Sequence, residues 1–403
     1  MQQTRPTRRR QAGSGTVGAV GSVAVGSMVA NICMYVVHLA ASARYLDVSE
    51  YGEFAVLLSA MLVLGVPAMA LQNVVAREVV LGRDERRLRL VGIQTTLYVV
   101  LLVAVATPLV ALLMRTGIVT TLAALGAAPL LALIAAGQGI LQGRGEFRAL
   151  SWVLAAVGVL RSMPIVGAFV MGSGPAGGLF AGTIGAAVSA VVVWAVVVWG
   201  VVGKVGERAQ DAAQASVGVL SVVRASQVQL VLIVASSVDL LLSPRVLDAE
   251  SVGVYALGAI ATKVAFWLPQ AIGVVFYPRL ADPARSRVSL RQAVAVVAGL
   301  GVVLTVAAGI AGPVVPFVFG DGYDELVPIL WLFAYIGAAL AVLQVVLLSA
   351  IARDRTRVAF GTWIVVAIEV TVILTVAGTV VGVAATAAVA VTVAAAGTWA
   401  LTR

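Results

Sequence analysis

The chain has 403 residues, of which 61% are hydrophobic and only 11% are charged. A soluble domain usually has roughly 45–50% apolar and about 25% charged residues. The composition therefore excludes a water-soluble fold and predicts an all-α, polytopic membrane protein with most of its mass inside the bilayer. The net charge of +9 would suggest nucleic-acid binding in a soluble protein. Because the basic residues follow a topological pattern, we expect no nucleic-acid partner.

The apolar segments predict about twelve transmembrane helices. A hydrocarbon core of about 30 Å requires roughly 20 apolar residues per helix, and clusters of charge, Gly or Pro mark the ends. The predicted spans cover residues 18–42, 53–75, 91–114, 119–142, 150–171, 176–202, 217–242, 253–277, 291–318, 326–350, 358–377 and 380–401.

The positions of the 27 basic residues predict the orientation of these spans. With the N-terminus in the cytoplasm, three basic residues fall in outer loops and three within helices, while the other 21 lie on the cytoplasmic side. Such an imbalance obeys the positive-inside rule. We therefore expect both termini in the cytoplasm. The outer-loop residues are Arg44, Arg115 and Arg245, and those within helices are Arg161, Arg224 and Lys263.

An internal repeat divides the chain into two halves. Residues 44–55, RYLDVSEYGEFA, recur as residues 245–256, RVLDAESVGVYA, at a constant offset of 201 positions. The copies join helices 1 and 2 and helices 7 and 8, so the repeat unit has six helices and both copies enter the membrane from the same side. Two lobes related by a pseudo-two-fold axis along the membrane normal are therefore predicted. The predicted organisation is a basic tail (1–17), an N-terminal lobe (18–202), a cytoplasmic linker (203–216) and a C-terminal lobe (217–403).

Charged residues within the predicted helices are candidates for a substrate site. A charge at mid-helix costs about 2.5–3.5 kcal/mol on insertion scales, so such residues usually face a cavity or a partner. Arg161, Lys263 and Arg224 leave the interior mildly positive, which favours binding of an anionic head group. Asp239 and Glu369 could couple transport to an ion or form structural ion pairs with these bases. Arg224 could also extend to the cytoplasmic interface.

Amide side chains in the spans could hydrogen-bond sugar hydroxyls or connect neighbouring helices. These candidates are Asn31, Asn73, Gln227 and Gln270. His38 aligns with Asp239 at the repeat offset, which indicates a matched polar position in the two lobes. The sequence contains no metal-ligand spacing, P-loop or nucleophile constellation, so we expect no metal, no cofactor and no enzymatic activity.

Several segments together resemble Wzx-type polysaccharide flippases, which transport O-antigen or teichoic acid precursors. They are ARYLDVSEYGEFAVLLSAM (43–61), GQGILQGRGEFRAL (137–150), VDLLLSPRVLDAESVGVYALG (238–258) and YPRL (277–280). These flippases share a superfamily with multidrug and toxin exporters and lipid II flippases. The resemblance implies two lobes in a V shape around a cationic cavity. Some relatives have two further helices that serve a lipid tail, and these are absent from our prediction.

The resemblance also implies a function and a location. It implies passage of an undecaprenyl-pyrophosphate-linked oligosaccharide across the bacterial cytoplasmic membrane. The implied partners are this lipid-linked glycan, membrane lipids, and a polysaccharide polymerase or glycosyltransferases.

Two other function classes remain open at this stage. A drug or ion exporter of the same superfamily should have buried carboxylates in its first lobe, where this sequence has only Arg161 at mid-helix. A membrane glycosyltransferase or glycan ligase should have catalytic carboxylates or histidines on a sizeable outer loop. The predicted outer loops have about ten residues or fewer, which disfavours the enzymes.

Overall fold

The computed structural model describes residues 11–202, 229–267, 286–352 and 358–402. Within these ranges the chain forms helices and no strand, which confirms the predicted fold class. Eleven described helices are long and apolar enough to span a membrane, and a twelfth apolar helix is shorter. They are α1 (Gly21–Tyr45), α2 (Val48–Val80), α3 (Glu85–Met114), α4 (Ile118–Gly143), α5 (Phe147–Val170), α6 (Pro175–Trp199), α7 (Gln229–Val246), α8 (Ala249–Trp267), α9 (Leu290–Ala311), α10 (Leu330–Ala350), the shorter α11 (Phe360–Thr375) and α12 (Val380–Leu401).

The described helices correspond in order to the twelve predicted spans, with different ends. The continuous helix that contains α1 already starts at Gln11, inside the predicted tail. The predicted ninth span ran to residue 318, whereas α9 ends at Ala311 and a separate short helix, Val314–Phe319, follows. The predicted linker, 203–216, lies outside the described residues.

The repeated sequence motif explains where α2 and α8 begin. The Asp47 carboxylate accepts a hydrogen bond from the Glu50 backbone N–H (2.7 Å), and the Glu50 carboxylate accepts one from the Asp47 backbone N–H (3.2 Å). In the second copy, the Asp248 carboxylate accepts from the Ser251 backbone N–H (2.8 Å), a bond that lowers the pKa of Asp248. Because each aspartate caps its helix, both helices begin earlier than hydropathy predicted.

The repeated glycines lie where the two lobes touch. The N-lobe contains α1–α6 and the C-lobe α7–α12, and α2 packs against α8. A Cβ atom placed on Gly52 would lie 2.9 Å from the backbone nitrogen of Gly253, and one on Gly253 would overlap the carbonyl oxygen of Val48. Positions related by the repeat therefore meet each other, as positions at a two-fold axis do.

The two ends of the bundle differ in how the lobes meet. We call the end with residues 81–84 and 144–146 the basic end, and the end with residues 46–47, 115–117 and 247–248 the far end. At the far end Arg245 of the C-lobe donates hydrogen bonds to the carbonyl oxygens of Leu113 (2.7 Å) and Leu112 (2.9 Å) in the N-lobe. These carbonyls form the negative end of the α3 dipole, so the guanidinium stabilises the contact.

At the basic end, an ion pair joins helices within the N-lobe. Arg144 donates two hydrogen bonds to the Glu85 carboxylate (2.9 and 2.6 Å) and a third to the carbonyl oxygen of Val197 (3.0 Å). The hydrogen bonds that Arg144 donates to Glu85 raise the pKa of Arg144 above its usual value. One side chain thus connects α3, the α4–α5 loop and α6, which favours movement of the N-lobe as a rigid body.

Three of the spanning helices are interrupted. The regular helix stops at Gly65 in α2, at Gly126 in α4, and at Ser236 and Ser237 in α7. In α2, Pro67 lacks the N–H that would continue the hydrogen-bonded ladder, so a new helical segment starts there. Interrupted helices at membrane depth are tolerated where they border protein or a cavity, and in transporters they often border the binding site.

We predict that Gly253→Val separates the lobes at the far end. The added side chain overlaps the Val48 carbonyl, and overpacking of this kind typically costs about 1–3 kcal/mol. Spin labels at Ser49 and Ala249, which line one far-end crevice from opposite lobes, should report a longer and broader distance distribution by pulsed EPR. Gly299→Val is the matched control, because a Cβ there meets no atom within 4 Å. An unchanged distribution in Gly253→Val would contradict the proposed role of the glycine contact.

Candidate substrate cavity

A cavity of about 390 Å³ lies between the lobes. Helices α1, α2, α4 and α5 of the N-lobe and α8 of the C-lobe form its wall. Its polar lining side chains are Asn31, Tyr35, His38, Gln72, Gln138, Arg161, Ser162 and Lys263. Among the described residues no carboxylate lines this cavity, so its fixed charges are positive. We call it the central cavity.

Lys263 reaches across the seam between the lobes. Its ammonium group, carried by α8, donates a hydrogen bond to the Ser59 hydroxyl of α2 at 2.9 Å. Ser59 is only 1% exposed, whereas Lys263 lies at the cavity wall. Lys263 also interacts electrostatically with Asp239, at more than the distance of a direct ion pair, and a lysine ammonium has two further donors to offer a ligand.

Arg161 provides the second positive charge, from the opposite lobe. A guanidinium nitrogen of Arg161 lies 3.9 Å from the Met61 sulfur, a weak acceptor. None of the ion pairs found in the described part of the chain involves Arg161 or Lys263. The structure thus places two predicted site residues from opposite lobes in one cavity, and neither makes a direct ion pair with a described acid.

The two predicted acids lie elsewhere, in the interior of the C-lobe. Asp239 is 4% exposed and accepts a 2.6 Å hydrogen bond from the Tyr255 hydroxyl. It occupies the first turn of the helical segment that restarts after Ser237, where the positive end of the helix dipole stabilises a carboxylate. Glu369 is 5% exposed on α11, which packs against this segment of α7. Neither carboxylate lines the central cavity.

The matched positions His38 and Asp239 have matched partners. His38 Nδ1 lies 3.1 Å from the Tyr51 hydroxyl, and its ring also packs edge-on against Phe54. In each lobe, therefore, a titratable residue of the first helix hydrogen-bonds a tyrosine of the second. Phe54 is the repeat counterpart of Tyr255, so the tyrosines differ in position by about one helical turn. Sequence reasoning noticed His38 but missed both tyrosines.

Only some of the predicted amide side chains line the central cavity in the structure. Asn31 lines the central cavity, whereas Asn73 is exposed outside it and the adjacent Gln72 lines the wall instead. A step of one residue rotates a side chain by about 100° around a helix, and hydropathy alone did not fix the face of α2. Gln72 also donates to the Gln142 side chain at 3.0 Å. Arg224, Gln227 and Gln270 lie outside the described residues.

Further lining residues were missed by sequence reasoning although a signal existed. Tyr35 lies four residues after Asn31 and three before His38, which places it on the same face of α1 as these two residues singled out in the sequence. Gln138 and Ser162 line the wall from α4 and α5. A polar side chain within an apolar span is a sequence signal for a helix face that borders a cavity, and Gln138 and Ser162 both carry this signal.

No protein-family model matches the chain, and no curated protein sequence matches it. Solved structures do match. An inward-facing multidrug resistance MATE transporter of the MOP superfamily superposes with a TM-score of 0.69 at 13% identity, covering 96% of this chain and 97% of that one. The lipid II flippase MurJ, in an inward closed conformation, superposes with a TM-score of 0.65 at 11% identity, covering 96% and 87%.

The chain shares the fold of these transporter structures. An outward-facing MATE transporter structure of this superfamily gives a lower TM-score, 0.56 at 14% identity, with 96% and 94% coverage. The similarity over nearly the whole chain supports an arrangement of two helical lobes.

We predict that Tyr255→Phe destabilises the C-lobe. Removing the hydroxyl leaves Asp239 buried without this donor, which typically costs about 1–3 kcal/mol. Thermal unfolding of the purified protein should show a lower midpoint. Tyr98→Phe is the control, because Tyr98 is 56% exposed on α3 and loses no buried partner. Equal midpoints for the two variants would mean that the Asp239–Tyr255 bond contributes little.

Proposed function

We propose that this chain is a MOP-superfamily transporter that flips an anionic lipid-linked oligosaccharide across the bacterial cytoplasmic membrane. An undecaprenyl-pyrophosphate-linked glycan is the proposed cargo. The observation that carries the proposal is the placement of Arg161 and Lys263, one from each lobe, on the wall of one cavity between the lobes. Neither base forms an ion pair with a described residue.

The chemistry of these two bases suits a pyrophosphate group. A guanidinium can donate two parallel hydrogen bonds to phosphate oxygens, and an ammonium supplies a compact point charge. Because the surrounding wall is largely apolar, an anion there interacts with the bases more strongly than it would in water. The amides of Asn31, Gln72 and Gln138 supply donors and acceptors for sugar hydroxyls.

Alternating access follows from the arrangement of the lobes. The lobes are joined at the far end by the glycine contact and by Arg245, and the cavity lies on the basic-end side of that contact. With the basic end in the cytoplasm, as the positive-inside rule predicts, this arrangement corresponds to the state in which cargo enters from the cytoplasmic side. Rocking of the rigid lobes would open the far end and present the head group to the opposite side.

The buried acids of the C-lobe provide a candidate coupling site. Asp239 and Glu369 lie apart from the central cavity and, as charged groups, would repel each other. Binding of a cation or a proton there would relieve that repulsion and could supply the driving force. These carboxylates lie in one lobe, whereas the two bases that would bind the cargo, Arg161 and Lys263, come from both lobes. The cargo and the coupling ion would therefore occupy separate sites.

A drug or ion exporter is the alternative function. The resemblance of the fold to MATE transporters and the buried acids of the C-lobe favour it. An exporter of cationic drugs, however, would require a carboxylate facing its cargo. The described wall of the central cavity presents Arg161 and Lys263 instead, so an anionic cargo is the better fit. A polymerase or glycosyltransferases remain the proposed partners, because they would use or supply a lipid-linked glycan.

We predict that Arg161→Ala and Lys263→Ala each weaken binding of inorganic pyrophosphate by about 10- to 100-fold, since a hydrogen bond to a charged group contributes about 1.5–3 kcal/mol. Isothermal titration calorimetry on the purified protein is the measurement. Arg44→Ala removes the same charge from an exposed far-end position and serves as the matched control. Wild-type affinity in both cavity variants would remove these residues from the site.

A second prediction concerns the cell. Loss of the gene should leave the lipid-linked glycan in the cytoplasmic leaflet, because its large polar head cannot cross the hydrocarbon core unaided. Accessibility of the glycan to an impermeant, sugar-oxidising label on spheroplasts and on inverted vesicles measures the leaflet distribution. An unchanged distribution, together with altered drug resistance, would favour the exporter alternative.

A further inference from the structure

A second cavity lies beside the central cavity and opens between α1 and the C-lobe. Its volume is about 620 Å³, within the range of about 300–1,000 Å³ that is typical of ligand pockets. The wall is formed by residues within 32–39 of α1, 257–265 of α8 and 304–311 of α9, by Val315 and Phe319 of the short helix after α9, by Leu326, and by the start of α10. All its lining residues are hydrophobic, and only Tyr35 among them carries a polar side-chain atom. We call this cavity the lateral slot.

The lateral slot adjoins the central cavity. Tyr35 of α1 and Ile260 of α8 line both cavities, so the two lie side by side. A molecule with a charged head and an apolar tail could therefore place its head beside Lys263 and extend its tail into the slot. Each part would then lie in surroundings that match its polarity.

The slot lies closer to the far end than the central cavity does. On α9 its wall is formed by residues 304–311, which end where the helix ends, and on α10 by residues at the start of the helix, both at the far end. The central cavity instead reaches toward the basic end, at Gln72 and Gln138. Seen from the basic end, the slot thus lies beyond the central cavity.

This position is where the tail of a loaded lipid should lie. In the leaflet at the basic end, a lipid has its head at the membrane surface and its tail directed toward the bilayer centre. If the head moves inward to Arg161 and Lys263, the whole molecule shifts by roughly half of the ~30 Å core. Its tail then enters the far half of the membrane, which is the half that the slot occupies.

Small side chains keep the slot open. Leu304, Ala307, Ala308 and Ala311 recur at intervals of three, one and three residues and so form one face of α9. Alanine at three of these four positions leaves a groove that a larger side chain would fill. Val302 lies on the opposite face of this helix and is 63% exposed.

We propose that the lateral slot binds the first part of the prenyl chain of the lipid whose pyrophosphate occupies the central cavity. This inference rests on the proposed function. Both parts of the cargo would then be bound by the protein. Arg161 and Lys263 would bind the head group, and α1, α8 and α9 would bind the tail. The site uses helices of the two six-helix lobes and needs no additional tail-binding helices.

Binding of two probes to three proteins tests the proposal. The probes are inorganic pyrophosphate, which has no tail, and farnesyl pyrophosphate, and the proteins are wild type, Ala308→Trp and Val302→Trp in nanodiscs of one lipid composition. We expect Ala308→Trp to weaken binding of farnesyl pyrophosphate by about tenfold, through loss of apolar burial, and to leave inorganic pyrophosphate unaffected. Val302→Trp should match wild type for both probes.

The outcomes separate this proposal from the proposed function. Equal affinity of Ala308→Trp and Val302→Trp for farnesyl pyrophosphate would overturn the tail site while the head-group site stands. Failure of wild type to bind either probe would overturn the proposed function, and the tail site with it. Weaker binding of both probes to Ala308→Trp would show a general disturbance of the protein, which also counts against a specific tail site.

Photo-crosslinking distinguishes the cargo tail from ordinary membrane lipid. A photoreactive residue at position 308 should capture a radiolabelled polyprenyl pyrophosphate, and excess inorganic pyrophosphate should abolish the capture by displacing the head group. The same residue at position 302 should capture bulk phospholipid regardless of pyrophosphate. Capture at position 308 that is insensitive to pyrophosphate would mean that bulk lipid fills the slot, and would overturn the proposal.

Discussion

A positive charge inside a bilayer is stable only where water, an anion or an acid compensates it. Arg161 and Lys263 lie well inside the membrane-spanning bundle, and no described acid pairs with either base. Lys263 interacts with Asp239 only across a longer distance, so both bases still require water or an anion in the space beside them. The space between the lobes meets this requirement, and the placement of one base on each lobe connects the occupant of the cavity to the relative position of the lobes.

The contact between the lobes is formed by the repeated motif. The aspartates start α2 and α8 at equivalent places, and the glycines one turn later allow the two helices to touch. Because the same twelve-residue pattern serves both halves, the contact lies on the pseudo-two-fold axis. Arg245 departs from this symmetry, since it bonds to the end of α3 while its counterpart Arg44 is exposed. The far-end contact thus combines a symmetric core with an asymmetric ion–dipole contact.

In the described part of the bundle, the central bases and the buried acids of the C-lobe lie in different places. The central cavity contains bases and amides, while the carboxylates of Asp239 and Glu369 are enclosed within the C-lobe. In the proposed function, this arrangement gives the anionic cargo and a coupling cation different binding places. The lateral slot adds an apolar surface next to the bases, so the path between the lobes suits an amphiphile better than a compact polar solute.

The sequence by itself determined the helical membrane fold, the six-helix repeat and the candidacy of Arg161 and Lys263, because hydropathy and buried charge are local properties of a segment. Tertiary structure decided the rest. Asp239 faces Tyr255 instead of the cavity, Gln72 replaces Asn73 at the wall, and the lateral slot forms where α1 meets α8 and α9. Each outcome depends on the rotation of a helix about its axis and on contacts between residues far apart in the chain, which the pattern along one segment does not specify.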